Sequence, residues 1–493
     1  MEALIIIGII VAFALTMNQK RSKRGQGLTA FLSPSVNIKT PQRSKFSKGH
    51  FLEKTFNLSL PDDFELSNEF VTGFNAIEKT SQNLYITGEA GTGKTTLLKY
   101  FRQKTQKKFV VLAPTGIAAI NSHGQTIHSF FKFPPKLIQK EHIRRVYNGR
   151  RIFEHLELLI VDEASMMRAD LMDGIDYALR LNKENHHIPF GGVQVVLFGD
   201  LYQLPPIVDK EMADVYNNLY DTPYFFSAKV FQHVNFSHFN LQKIYRQKDK
   251  DFRELLNKLR NRKLTVTDMK LLNSRVEPQL CETWSDCITL TPTNAAANAI
   301  NETRLSKLGG KEFVYNASIK GEFDEKSYPT ETELRLKVGA QVLMIKNDPD
   351  KRWVNGSIGE VVDLDKDSVE VRIGDKVHEV GVAVWEKIKY RYDIEEEKIV
   401  EEVLGSFEQY PIKLAWAITI HKSQGLTFDR LVIDLDHGAF THGQVYVALS
   451  RCRSFGGVLL KRSVTHRDII FDERIRRIKN YFPKLTGEYE TAP

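Results

Sequence analysis

Short apolar runs, each closed by a loop and a helical pattern, recur through the first half of the chain: LYIT at 84–87, FVVLA at 109–113, LLIV at 158–161 and VQVVLF at 193–198. Such runs, apolar without polar alternation, read as strands buried on both faces. Alternating with helices, they predict a doubly wound parallel sheet. Similar runs return at CITLTP (287–292) and LVIDL (431–435), which predicts a second α/β domain. The texture between them differs. Residues 337–410 hold short alternating strands such as SVEVRI (368–373), punctuated at Asn355-Gly356, Asp365–Asp367 and Gly374-Asp375. Period-two alternation with hairpin punctuation predicts a small antiparallel β-barrel inserted into the second domain.

Length and composition change this picture little. A chain of 493 residues suggests two to four domains, and 42% hydrophobic with 26% charged residues is ordinary for a soluble globular protein. The net charge of +8 invites a nucleic-acid reading, but residues 1–50 carry eight Lys/Arg and only Glu2 as an acid, which leaves +1 for the rest. Bulk charge therefore says little about the partners of the body. Three cysteines (Cys281, Cys287, Cys452) without CxxC spacing support neither a disulfide framework nor a zinc site. The apolar stretch 3–17, followed by KRSKR, is short for a membrane span. It leaves three readings open: a membrane anchor, a cleaved organelle presequence, or translation starting at Met17. Residues 18–60 are polar and basic and read as a disordered tail.

Chemistry enters at GEAGTGKTT (88–96). Gly88, Gly93, Lys94 and Thr95 satisfy G-x-x-x-x-G-K-[ST] directly after the strand LYIT and before an amphipathic helix. Backbone N–H groups of a glycine-rich turn close around phosphate oxygens, the lysine reaches the β- and γ-phosphates, and the threonine ligates magnesium. Gly88, Ala90, Gly91, Thr92, Gly93, Lys94, Thr95 and Thr96 are the expected nucleotide contacts. The strand LLIV then delivers Asp162 and Glu163, a carboxylate pair suited to hold magnesium (Asp162, with Thr95) and to polarise the attacking water (Glu163). A nucleoside triphosphate and Mg2+ are the expected ligands, a pair that kinases, GTPases and motors share.

The full series is GEAGTGKTT (88–96), APTGIAA (113–119), GQTIHSFF (124–131), IVDEASM (160–166), GDLYQLPP (199–206), YRQ (245–247), LTPTNAAANAIN (290–301), AITIHKSQGLTFD (417–429) and VYVALSRCRS (445–454). With DLMDGIDYALR and PFGGVQ within 170–194, this order resembles the PIF-type branch of superfamily one, the RecD-like 5′-to-3′ DNA helicases, over roughly residues 64–470.

The resemblance implies ATP as the nucleotide and an α/β fold of two RecA-like P-loop domains with a small wedge insertion and an inserted SH3-like β-barrel. The expected boundaries are 1–60 for the apolar segment and basic tail, 61–235 for the first domain with the wedge at about 132–156, 236–475 for the second, 337–410 for the barrel and 476–493 for a C-terminal tail. Gln203 would read the γ-phosphate, and Arg246 and Arg451 would act as arginine fingers beside Glu163. Pro114, Thr115, His128, Thr293, Asn294, His421 and Lys422 would line the groove for single-stranded DNA. Phe130 and Phe131 read as core aromatics, with base stacking as the alternative. The family's adenine-reading glutamine is missing upstream of the P-loop, where Asn68 or Asn75 stands as the substitute and Gln82 lies too close to the strand. Expected partners are single-stranded and forked duplex DNA, acted on by a monomer inside the cell. Cytoplasm or nucleoid is the expected location, with organelle or membrane attachment left open by residues 3–17. A different class also fits, a clamp that uses ATP only as a switch and separates no strands; the intact Glu163, Gln203, Arg246 and Arg451 argue against it.

Overall fold

The computed structural model describes residues 60, 64–147, 149–208, 210–247, 249–279 and 287–485. The expected apolar segment and basic tail, up to residue 59, lie outside the described residues, as do 486–493. Among the described residues no helix is long and apolar enough to cross a membrane.

Six strands, β1 (Asn83–Gly88), β2 (Phe109–Ala113), β3 (Gln125–Thr126), β4 (Leu158–Val161), β5 (Gln194–Phe198) and β6 (Phe236–Leu241), form one sheet in the order β3-β2-β4-β5-β1-β6. Every pairing in it is parallel. Successive residues of β1, β2, β4 and β5 enter opposite cores, as the unbroken apolar runs require. Leu84, Ile86, Val196 and Phe198 pack with helices α1 (Asn68–Glu78) and α2 (Lys94–Lys104) through Phe70, Ile77, Leu97 and Phe101. Tyr85, Val195 and Leu197 face the other way, towards Phe131, Met172, Ile175 and Leu179. Two-sided burial fixes register, because a one-residue slip would exchange the two cores.

The second half lays down β7 (Ile288–Thr291) and then leaves for a run of antiparallel strands: β8 (Phe313–Asn316), β9 (Ser318–Gly321), β10 (Glu333–Leu336), β11 (Gln341–Met344), β12 (Ile358–Leu364), β13 (Val369–Ile373), β14 (Lys376–Glu379), β15 (Ala383–Asp393), β16 (Lys398–Gln409) and β17 (Ile412–Leu414). It returns as β18 (Ala417–Thr419), β19 (Leu431–Ile433) and β20 (Val458–Leu460) to complete a parallel sheet of order β18-β7-β19-β20. The insertion is thus wider than the expected 337–410. Its five-stranded part, β14-β13-β12-β11-β17, closes on Val342, Trp353, Val361 and Val371. The hairpin β15–β16 does not join that sheet. It pairs with β9 and lies on the first half of the chain, where the Tyr390 hydroxyl accepts from Val111 N–H (3.1 Å) and donates to its carbonyl (3.3 Å), and Arg102 pairs with Glu401 at 2.9 Å.

Two boundaries move. The strand Phe236–Leu241, expected to open the second domain, is the edge of the first sheet, paired along β1 from Asn83↔Phe236 to Gly88↔Leu241. Residues 476–485, expected as a tail, fold back onto the same sheet: His238 N–H donates to Pro483 (2.7 Å), and Phe482 packs among Tyr85, Phe225, Phe231 and Phe236. The aromatic side chains supply the burial that a polar tail would lack. Between α4 (Ile127–Phe131) and β4, residues 132–156 send Phe133, Ile138, Ile143, Ile152 and Phe153 into the first core. The segment is anchored by Asp170, which accepts from Ile138 N–H at 2.8 Å and is clamped by Arg168.

Candidate functional site

The C-terminal ends of parallel strands are where an open α/β sheet gathers ligands. All the expected phosphate-loop residues lie there, from the last residue of β1 into the first turn of α2. Gly91 and Gly93 have φ of +87° and +85°, values that favour glycine. Both are also sterically locked. A Cβ on Gly91 would lie 2.5 Å from Arg246 Cβ, and one on Gly93 2.8 Å from the Phe70 ring. The Lys94 ammonium donates to the carbonyls of Gly88 (2.7 Å) and Glu89 (3.1 Å), arching back over the loop whose phosphate it would meet. Burial pushes the Lys94 pKa down, against the pull of Asp200 and Glu163.

Asp162 and Glu163 follow β4, with Glu163 in the left-handed region at φ +51° and its N–H donating to Asp162 Oδ1 at 2.9 Å. Burial pushes both carboxyls above their ordinary range; the Glu163 charge adds to the rise at Asp162, and Lys94 opposes it at both. A hard cation held by the Asp162 carboxylate and Thr95 hydroxyl would relieve that cost, so these donors fit Mg2+. Among the described residues no cluster of three or more His, Cys, Asp or Glu forms a self-sufficient metal cage. A cation here would draw its remaining oxygens from phosphate and water.

β5 lies between β1 and β4, so Asp200 and Gln203 emerge between the phosphate loop and the carboxylate pair. Gln203 is 7% exposed and donates through Nε2 to Asp200 Oδ2 at 3.3 Å. The other Asp200 oxygen accepts from Arg260 at 2.9 Å. Burial alone would raise the Asp200 pKa, but Arg260 and Lys94 hold it below the ordinary range.

Arg451 approaches from the second half of the chain, whereas Arg246 follows β6 and lies against Gly91 of the phosphate loop. Arg451 is 2% exposed, fixed by Nε to the Val447 carbonyl (3.0 Å) and by Nη2 to Ser450 Oγ (3.0 Å). Arg246 Nη1 donates to the Ser450 carbonyl at 3.2 Å. Among the described residues neither forms a salt bridge. Burial lowers the Arg451 pKa to about 10, partly offset by Tyr446, Glu163 and Asp200. Burial, then the Arg451 charge, lowers Arg246 to about 9. The two guanidinium groups, one buried and one half-buried, with no salt-bridge carboxylate among the described residues, form a cradle for anionic charge.

The expected strand-groove residues fall at corresponding places on the two sheets. Pro114 and Thr115 follow β2, and Thr115 caps α3 (Gly116–Asn121) by accepting from Ala118 N–H at 3.3 Å. Thr293 follows β7 and caps the helix Asn294–Lys307, accepting from Ala296 N–H at 3.2 Å. His128 lies on α4 and is half-buried, as is His421; Lys422 is exposed. Burial lowers the pKa of both histidines, and Arg168 adds to the drop at His128. Both therefore sit neutral at pH 7. Phe130 and Phe131 are 6% and 1% exposed and pack edge-to-face, which makes them core.

Sequence reasoning missed Arg260 and Tyr245. Arg260 lies on the helix Lys250–Arg260, its guanidinium 3.9 Å from the Tyr202 ring centroid and bonded to Asp200. In the pattern LLNKLRNRK it looks like one more solvated cation, and only the fold turns it inward. Tyr245 is 41% exposed, its N–H donates to the Gly91 carbonyl (2.9 Å), and its ring lies beside Phe70 and Gly93. Neither Asn68 nor Asn75 replaces the missing glutamine plainly: Asn68 is exposed at the start of α1, whereas Asn75 is buried on its inner face.

A glycine-rich loop, a carboxylate pair, a buried glutamine between them and two arginines, one brought in by a second parallel sheet, together define a P-loop NTPase of the helicase type. The PIF1-like helicase family model matches residues 65–270. The ATP-dependent DNA helicase Pif1 of Bdellovibrio bacteriovorus is 33% identical over 435 residues, covering 86% of this chain and 93% of that one. The structure of Bacteroides sp Pif1 in complex with ADP-AlF4 matches with a TM-score of 0.79 at 37% identity, over 86% of this chain and all of that one. Bacteroides Pif1 bound to ssDNA matches with a TM-score of 0.62 at 38% identity, over 85% and 97%. The chain belongs to the PIF1-like helicase family, and with it to the ATP-hydrolysing helicases.

Proposed function

We propose that this ATP-dependent DNA helicase translocates 5′ to 3′ on single-stranded DNA, splits forked duplex ahead of it, and serves genome maintenance: repair, recombination or telomere upkeep. The observation that carries the motor reading is Arg451, buried in the second half of the chain with no salt bridge among the described residues, and bonded to the same Ser450 as Arg246, whose own backbone lies against the phosphate loop. Glu163 orients and deprotonates the attacking water, and Gln203 senses the γ-phosphate. Mg2+, held by Thr95 and Asp162, would neutralise phosphate charge and orient the leaving group. Charge developing on the transferred phosphoryl group meets Arg451 only when the two sheets close on it. Hydrolysis then opens them, and the threonine-capped grips on the two sheets change spacing along the strand.

Residues 132–156, with Lys136, Lys140, Arg144, Arg150 and Arg151 exposed, serve as the wedge, and the sheet around Trp353 and Val361 as the SH3-like module that holds the moving strand. Tyr245 offers its half-exposed ring to the nucleobase. Stacking discriminates bases poorly, so nucleotide choice is relaxed where the family glutamine is missing. Direction rests on family resemblance. Its test uses forked duplexes with a 5′ or a 3′ single-stranded tail and Lys94→Ala as control: unwinding only from the 5′ tail is expected. Unwinding only from the 3′ tail overturns the polarity, and DNA-stimulated ATP hydrolysis without unwinding favours a remodelling clamp.

A further inference from the structure

The loop between β19 and the helix Gln444–Leu449 touches both halves of the proposed machine. At one end, Phe440 is 60% exposed, a large apolar surface to leave in water. Its ring lies nearly parallel to His421, 17° between planes and 6.5 Å between centroids. It thus extends the aromatic surface of a residue already assigned to the strand groove. The loop beneath it is fixed: Phe440 N–H donates to Gln444 Oε1 at 3.0 Å, and Ala439 N–H to Asp468 Oδ1 at 3.3 Å.

At its other end the loop presses on the sensor. His442 accepts at Nδ1 from Asp472 N–H (3.0 Å), which leaves the proton on Nε2 to donate to the Leu201 carbonyl at 3.0 Å. Gly443, at φ +72°, lies so close to the sensor loop that a Cβ there would be 2.5 Å from the Tyr202 carbonyl oxygen and 2.6 Å from that of Gln203. The helix Gln444–Leu449 starts at once and leads into Arg451. One rigid loop therefore joins an exposed aromatic at the groove to both the sensor glutamine and an arginine finger.

We propose that Phe440 stacks on a base of the bound strand beside His421, and that its loop transmits strand occupancy to Gln203. The idea rests on the groove reading of His421 and Lys422. Aromatic platforms bind single strands without sequence preference because every base has a π-face, which suits a translocating motor.

The test uses the full chain and an oligonucleotide carrying 2-aminopurine, whose emission is quenched by stacking, with affinity measured by anisotropy in the absence of nucleotide. Phe440→Ala and Phe440→Leu are expected to weaken binding on the order of tenfold or more and to lose the protein-induced emission change. Phe440→Tyr is expected to retain both. Melting temperature checks the fold, which an exposed ring should hardly affect. Leu behaving as the parent overturns stacking. Phe440→Ala binding as the parent while His421→Ala is weakened overturns the role of Phe440 and leaves the groove standing; neither variant weakened overturns both. For the relay, hydrogen exchange of residues 200–204 is expected to slow when saturating DNA binds the parent and not Phe440→Ala. Equal slowing in the two overturns the relay.

Discussion

At β2 the chain runs from a buried strand through Pro114 into Thr115, which caps a helix; at β7 it runs through Pro292 into Thr293, which caps another. The two parallel sheets thus end in the same local device. Around it they differ. The first sheet carries the phosphate loop, Asp162, Glu163 and Gln203, the groups proposed to hold and attack a triphosphate. Among the described residues the second carries no such loop; it contributes Arg451 and, on a helix packed into its core, Arg260, while Arg246 follows β6 and lies against the phosphate loop. In the proposed mechanism binding chemistry lies mainly on one sheet and charge compensation mainly on the other, so neither would hydrolyse alone. A motor needs this division, because it makes the chemical step depend on closure. At nearly equal identity, the match to the ssDNA-bound relative (0.62) is weaker than to the ADP-AlF4 complex (0.79). The arrangement described therefore lies nearer that of the ADP-AlF4 complex than that of the ssDNA complex.

The largest effect tests that division directly. Arg451→Ala should lower kcat for ATP hydrolysis by about 10³-fold or more, with nucleotide affinity measured by a fluorescent ADP analogue changed far less. A variant that hydrolyses ATP like the parent would show that the first sheet is sufficient by itself.

Arg260 makes the division structural as well as catalytic. Its partner Asp200 has a side chain with no exposure, and Arg260's own side chain is 12% exposed. Removing one member of such a pair leaves an uncompensated buried charge, at a cost of about 3–5 kcal/mol. Arg260→Ala should lower the denaturant midpoint accordingly, and Asp200→Asn in the same chain should recover most of the loss. Absence of recovery would mean that Arg260 acts through packing on Tyr202 and not through the carboxylate.

The carboxylate pair gives a smaller, pH-dependent effect. Burial raises the pKa of both Asp162 and Glu163. A carboxyl whose folded pKa lies above its unfolded value stabilises the fold below the unfolded pKa. That contribution is lost as pH rises through the folded value. Without nucleotide or metal, Asp162→Asn should therefore melt at a higher temperature than the parent at pH 8, with the gap closing towards pH 4. A gap independent of pH would locate the effect elsewhere.

Much of this was legible in the sequence. Strands buried on both faces announce themselves as unbroken apolar runs, which is why β1, β2, β4 and β5 were readable. The phosphate loop, carboxylates and sensor attach directly to them. Edges and returns were not legible. FSHFNL, the strand β6, mixes polar and apolar residues and lies nearest in sequence to the second half, yet it pairs with β1. YFPKL near the C-terminus looks like a tail until Phe482 finds its aromatic cluster. The tyrosines of WEKIKYRYD read as one face of a hairpin, but nothing local shows that Tyr390 bonds Val111, 279 residues away. Arg260 escaped for the same reason: its partner is set by the packing of two sheets, and sequence patterns report only the periodicity within one element.

The smallest effects bear on the feature the sheets share. Thr115 is half-buried and caps a six-residue helix, whereas Thr293 is exposed and caps one of fourteen residues. Loss of either cap should cost about 1 kcal/mol of stability. If the two are matched grips, Thr115→Ala and Thr293→Ala should also each weaken single-stranded DNA binding modestly and by similar factors. The double variant should then lose the product of the two, because side chains on separate sheets with no common protein partner act independently. The pattern changes if only one sheet holds the strand at rest. One substitution would then weaken binding without nucleotide, and the other only with a nonhydrolysable ATP analogue that closes the sheets. Equal losses in both states would mean that both grips stay engaged through the cycle, and translocation would have to come from something other than alternation between them.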